Sequence, residues 1–203
     1  MIKNYIFDFG NVITLFDGEE MTARILGKEY ISTVAPVVFD RLYWDKLDDG
    51  TITDSQVKAA FAERLSSEMY EKACAVYDGW IHNLTPIAGM PELVRDIKNS
   101  GGKLYILSNI SRGFAANYQK NPWVSELFSL FDGLVFSAVA GLTKPNREIY
   151  DYVTEKYGLS KDECIFIDDS QKNIDGARGA GICGYLFDGD AAKLREFLFP
   201  QHK

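Results

Sequence analysis

Tyr5–Ile13 reads YIFDFGNVI. An apolar, aromatic run from Ile2 to Phe7 ends at one acid, Asp8, and glycine and asparagine follow. Such a run predicts a short buried strand, and the turn residues after it leave Asp8 at the strand's carboxyl end. The same grammar recurs downstream. KLYILSN (103–109) ends on Ser108 and Asn109, Leu134 to Ser137 is another apolar run, CIFIDD (164–169) ends on twin acids, and ICGYLF (182–187) is a last strand. Helical segments separate these runs: MPELVRDIK (90–98), a segment after GLTKP that puts Ile149, Tyr150, Val153 and Tyr157 on one face, SQKNIDGARGAG, and AAKLREFL. Strand-helix alternation predicts a parallel sheet covered by helices, with ligands at the carboxyl ends of strands.

Residues 17–85 have a different texture. Helical periodicity dominates and strand signals vanish. Thr53-Asp54-Ser55-Gln56 forms a capping box in front of VKAAFAERL. Asp48-Asp49-Gly50 lacks the alternating ligands of a calcium loop and reads as a turn. Trp44, Trp80 and Tyr43 are the large aromatics of this segment, and packing within it is favoured over stacking on a ligand.

The four segments YIFDFGNVI, KLYILSN, GLTKP and CIFIDDSQKN stand in order between residues 5 and 173. Together they resemble the motifs of the haloacid dehalogenase-like hydrolase superfamily, and the FDFGNVI form is similar to bacterial sugar phosphatases of the α-glucose-1-phosphatase type. The resemblance implies an α/β fold, a Rossmann-like three-layer parallel sheet core. Residues 1–16 and 86–203 form that core, and an α-helical cap, residues 17–85, is inserted between the first and second motifs. It further implies that Asp8 is a nucleophile forming an aspartyl-phosphate. Asp8, Asp169 and the Gly10 carbonyl would ligate Mg²⁺, with Asp168 in support. Ser108 and Asn109 would contact phosphoryl oxygens, Lys144 would neutralise phosphate and hold Asp8 ionised, and Asn173 would orient the metal's waters or a neighbouring loop.

The chemistry of the residue types agrees with that assignment. A carboxylate attacking a phosphate dianion meets a repulsion of about 4 kcal/mol per charge pair at ~4 Å and an effective dielectric of ~20. That is roughly a thousandfold in rate. Paired aspartates holding a hard divalent cation supply the remedy.

Gly10 is a departure from the family pattern. Relatives with phosphatase activity carry there an acid that protonates the leaving alcohol, help worth about 10²–10⁴-fold. A leaving group that needs little protonation, such as the anomeric oxygen of a sugar 1-phosphate, is one way out. Another is a proton from a metal-bound water or a cap acid; Asp17, Glu19 and Glu20 are the nearest in sequence. The alternatives to a Mg²⁺-dependent sugar-phosphate phosphatase are a 2-haloacid dehalogenase, which needs neither the acid nor a metal, and a catalytically impaired protein that binds a phosphorylated ligand. The twin acids weigh against the dehalogenase.

Bulk composition bounds the remaining possibilities. The chain has 203 residues and a net charge of -7, which suits one well-cored domain with an insertion and argues against nucleic acid or an anionic membrane as partner. A small phosphorylated metabolite is the expected partner, and no protein partner is inferable. Cys74, Cys164 and Cys183 are far apart and read as buried free thiols. Two histidines, His82 and His202, are too few for a His-rich metal site. The start of the chain does not read as a signal peptide and no stretch approaches membrane-spanning length, so the expected location is the cytoplasm.

Overall fold

The structure is a computed structural model and describes residues 2–200; His202 lies outside the described residues. The expected strands form one five-stranded parallel sheet: β1 (Asn4–Phe7), β4 (Lys103–Ser108), β5 (Gly133–Phe136), β6 (Cys164–Asp168) and β7 (Cys183–Leu186). Their order is β5-β4-β1-β6-β7, and Tyr5 sits in register between Leu104 and Ile165. A second, antiparallel pair joins β2 (Thr14–Leu15) to β3 (Thr85–Pro86).

Both faces of the large sheet are buried, which is why its strands read as continuous apolar runs. Period-two alternation divides the side chains between two cores. Tyr5, Phe7, Leu104, Ile106, Ile165 and Ile167 face α6 (Met90–Asn99), α7 (Arg112–Asn117), α8 (Pro122–Phe128) and α12 (Ala191–Leu198). Ile6, Tyr105, Leu107, Val135 and Phe166 face α10 (Arg147–Tyr157) and α11 (Gln171–Gly179). The result is the expected three-layer α/β core. The pair α7 and α8, which the strand pattern does not announce, starts from side-chain caps at Ser111 and Asn121.

The chain leaves β1 toward β4 and β5, then returns across β1 to β6 and β7. The direction of winding therefore reverses beside β1, and such a switch point opens a crevice at the carboxyl ends of the strands.

Between β2 and β3 lie α1 (Gly18–Ile25), α2 (Ile31–Val38), α3 (Arg41–Asp48), α4 (Asp54–Arg64) and α5 (Ser67–Gly79). Thr53 and Gln56 make the reciprocal capping box at the start of α4. This insert has a core of its own around Val34, Val38, Val57, Phe61 and Val76. Its seam with the sheet domain is aromatic: Phe16 packs edge-on against Trp44 and Trp80, and Trp80 stacks on Phe114 of α7 at 5.6 Å.

The cysteines correct one expectation. Cys164 is buried, Cys74 is only half-buried and Cys183 is exposed, because Cys183 opens the edge strand β7, where solvent reaches the side chains. No helix among the described residues is long and apolar enough to cross a membrane.

Candidate active site

Asp8 leaves β1 at the crevice, and its Oδ1 accepts the Phe9 N–H at 2.7 Å and Lys144 Nζ at 2.9 Å. The same ammonium donates to Asp168 Oδ2 at 2.7 Å, at the end of β6. The Lys144 side chain is 1% exposed and that of Asp168 0%, against 13% for Asp8. Asp168 is saturated: Ser170 N–H donates to Oδ1 at 2.8 Å, and Asn173 Nδ2 reaches both carboxylate oxygens at 3.0 Å. Asp169 points into the cleft and is exposed.

The loop that carries Lys144 is fixed from two sides. Asn109 Oδ1 accepts the Lys144 backbone N–H at 2.8 Å, and Asn109 Nδ2 donates to the Lys144 carbonyl at 3.0 Å. On the other side Gly176 of α11 lies under Pro145, and a Cβ at position 176 would stand 2.4 Å from the Pro145 carbonyl oxygen. Only glycine permits that approach. Asn109 therefore spends its side chain on the Lys144 loop, while Ser108 closes β4 as a buried neighbour of Asp8.

The electrostatics follow from this crowding. Burial pushes the Asp8 carboxyl up to about 7, with Lys144 opposing and Asp168 reinforcing. Desolvation and the charge of Asp168 also raise Asp169. Burial works against the Lys144 ammonium, but the two carboxylates it touches outweigh that and hold it above its ordinary value. Oxygen atoms of Asp8, Asp168 and Asp169 lie within 4.8 Å of one another. Three carboxylates against one ammonium leave a deficit of two positive charges in an oxygen-lined corner, which fits a hard divalent cation. Asp8 and Asp169 keep lone pairs for it, since Asp168 is taken up by protein donors.

These groups floor a cavity of about 590 Å³ that the helical insert roofs. Phe16, Trp44 and Trp80 give it an apolar wall; Arg41, Asp45, Asp48 and Asp49 give it a polar one. Trp44 and Trp80 are packed as expected of a core: the Trp44 indole N–H donates to the Val38 carbonyl at 2.8 Å and its ring stacks on Phe39. The acids nearest Gly10 in sequence do not reach the cavity. Asp17 caps α1 through the Glu20 N–H, Glu20 pairs with Arg24, and Glu19 lies exposed on the first turn of α1; none of the three lines the cavity. The polar wall comes instead from α3 and the turn after it, which the sequence presents as mere punctuation. Only tertiary packing brings that turn to the strand ends, so nothing in the local pattern of Asp48-Asp49-Gly50 points to it.

A parallel α/β sheet with carboxylates and a buried lysine converging at its switch point, under an inserted helical roof, defines a class of hydrolases built on a strand-end aspartate. The chain belongs to the haloacid dehalogenase-like hydrolase family, whose model matches residues 2–181. It is 27% identical to the sesquiterpene phosphatase astK of Aspergillus oryzae, over 90% of this chain and 88% of that one. It is 25% identical to the D-ribitol-5-phosphate phosphatase of Bacteroides thetaiotaomicron, over 86% of each. A solved structure of a family enzyme from the same bacterium, in complex with magnesium and inorganic phosphate, matches 96% of this chain and 99% of its own with a TM-score of 0.68 at 22% identity.

Proposed function

We propose that this protein is a Mg²⁺-dependent phosphatase of the cytoplasm that hydrolyses a small phosphorylated metabolite, a sugar phosphate, with residues 17–85 as the cap over its active site. The observation that carries the reading is the Lys144 ammonium between Asp8 and Asp168, with Asp169 open to the same cavity. A buried carboxylate beside a lysine, with a second carboxylate free to share a cation, is an arrangement for bringing one anion onto another. The exposed Asp169 weighs against a dehalogenase, because it would repel the carboxylate of a haloacid.

In this reading one Asp8 oxygen attacks phosphorus, the bond from phosphorus to the leaving oxygen breaks, and its electron pair departs with that oxygen. Lys144 keeps Asp8 ionised and faces the phosphoryl group, and the Ser108 hydroxyl and the backbone at Asn109 donate to phosphoryl oxygens. Asp8, Asp169 and the Gly10 carbonyl would hold Mg²⁺, which would supply charge neutralisation for the attack of one anion on another. Asn173 and Ser170 keep Asp168 oriented toward Lys144. Water then cleaves the aspartyl-phosphate and regenerates Asp8. Aromatic edges at Trp44 and Trp80 beside the Arg41–Asp45 ion pair suit a sugar, which offers apolar faces and hydroxyls together.

The test is phosphate release from a panel of phosphorylated metabolites, including sugar, polyol and isoprenoid phosphates, with Mg²⁺ and with EDTA. Turnover is expected to require the metal and to vanish in Asp8→Asn. Turnover that survives EDTA, or tight phosphate-ester binding with none, overturns the proposal.

A further inference from the structure

Gly10 leaves the leaving group without the family's usual proton donor, but other acids line the cavity. Its acids fall into two sorts. Asp45 is paired with Arg41 at 2.7 Å, and Asp49 accepts the N–H and the hydroxyl of Thr51 at 2.8 and 2.6 Å. Asp168 is saturated, and Asp8 and Asp169 belong to the cation corner. Among the described residues no donor takes the carboxyl of Asp48, which is half-buried in the cavity wall.

The backbone of Asp48, by contrast, is fastened to the sheet domain. The Ser137 hydroxyl donates to the Asp48 carbonyl at 2.5 Å and accepts the Ile110 N–H at 2.8 Å. Ser137 opens the short helix α9 (Ser137–Ala140) directly after β5. One hydroxyl thus ties the roof to the loop after Ser108. Two residues on, Gly50 has φ +76°, and a Cβ there would lie 3.1 Å from the Ala138 carbonyl oxygen. A left-handed residue with no side chain is what lets the turn seat against α9. The device fixes a backbone and leaves one carboxyl free in the wall of the cavity that Asp8 floors.

We infer that Asp48 is the general acid that protonates the leaving oxygen, with Ser137 as its positioning residue. The inference rests on the phosphatase reading. As the bond to phosphorus breaks, its electron pair stays on the leaving oxygen, which takes the proton of the Asp48 carboxyl and departs as the neutral alcohol. Asp48 is left as a carboxylate and recovers a proton from the water that cleaves the aspartyl-phosphate. The electrostatic setting agrees: burial pushes Asp48 up to about 8, Asp45 and Asp8 reinforce the shift, and Arg41 and Lys144 oppose it. That direction favours the protonated carboxyl.

The test is the dependence of kcat/KM on leaving-group basicity across substituted phenyl phosphates with Mg²⁺. Asp48→Asn is expected to lose about 10²-fold on 4-methoxyphenyl phosphate and less than about tenfold on 4-nitrophenyl phosphate, whose leaving group departs without a proton. Activity on the nitrophenyl ester also reports that the variant is folded, and Asp48→Ala is read the same way if the amide is not. Ser137→Ala is expected to show the same steepened dependence in milder form; a merely structural role would lower both esters alike. Equal losses on the two esters in the Asp48 variants, with an active wild type, overturn the inference alone. A wild type that hydrolyses neither ester overturns the phosphatase reading and this inference with it.

Discussion

Asp168 on the floor of the cavity and Asp48 on its polar wall are held in opposite ways. On the floor, Asp8 and Asp168 share one ammonium, and Asp168 spends every lone pair on protein donors. On the wall, Asp48 is gripped by its backbone through Ser137 and its carboxyl is left alone. Saturated groups hold their charge and geometry through a reaction. A group that must give up a proton and take it back needs a fixed position and free lone pairs. Under the proposed phosphatase reading the contrast matches charge neutralisation to the floor and proton transfer to the wall, and it can be broken from either side.

The largest effect belongs to Lys144. Lys144→Met keeps the volume and removes the shared cation, leaving two buried carboxylates facing each other. Breaking such a buried pair costs about 3–5 kcal/mol, so chemical denaturation should show a large loss of stability, and turnover should be lost. A Lys144→Met protein as stable as the wild type would show that the floor is not held together by its charges.

Gly10 allows a smaller, sharper test. A Cβ at position 10 meets nothing within 4 Å, so the side chain of Gly10→Asp starts into open space. In the wild-type background it should extend activity toward leaving groups of high pKa. Combined with Asp48→Asn, it should restore at least about tenfold of the roughly 10²-fold lost on poor leaving groups, measured on the same phenyl phosphates. No change across the series would remove the link between the glycine and the wall.

The smallest effect is on stability against pH. Asp8 and Asp48 have folded values of about 7 and about 8, above the 3.8 of a free aspartate. In that window the folded protein binds protons that the unfolded chain has released, so stability falls as pH rises through it. Without Mg²⁺ the melting temperature should drop steadily between about pH 5 and pH 8. Mg²⁺ should raise it more at the upper pH, where Asp8 is ionised, than at the lower.

The floor was legible in the sequence and the wall was not, for a physical reason. Asp8, Ser108 and Asp168 each end a buried strand, and a parallel sheet brings strand ends together whatever the intervening chain does. Lys144 was found through its motif, although its burial and its double ion pair needed the fold. The Asn109 side chain, expected near phosphate only through its backbone, proved to be the clasp of the Lys144 loop, because both of its amide atoms match one peptide group. Asp48 is brought to the cavity by a contact with Ser137 across 89 positions of sequence, and no local period encodes that.

The aromatic seam between insert and sheet has a consequence for traffic. Phe16, Trp44, Trp80 and Phe114 interlock across it, and each such pair contributes about 0.5–1.5 kcal/mol beyond the area it covers. Swinging the helices away would expose several large rings at once. Any hinging of the insert must therefore first part these rings, so the seam sets a cost on opening the roof.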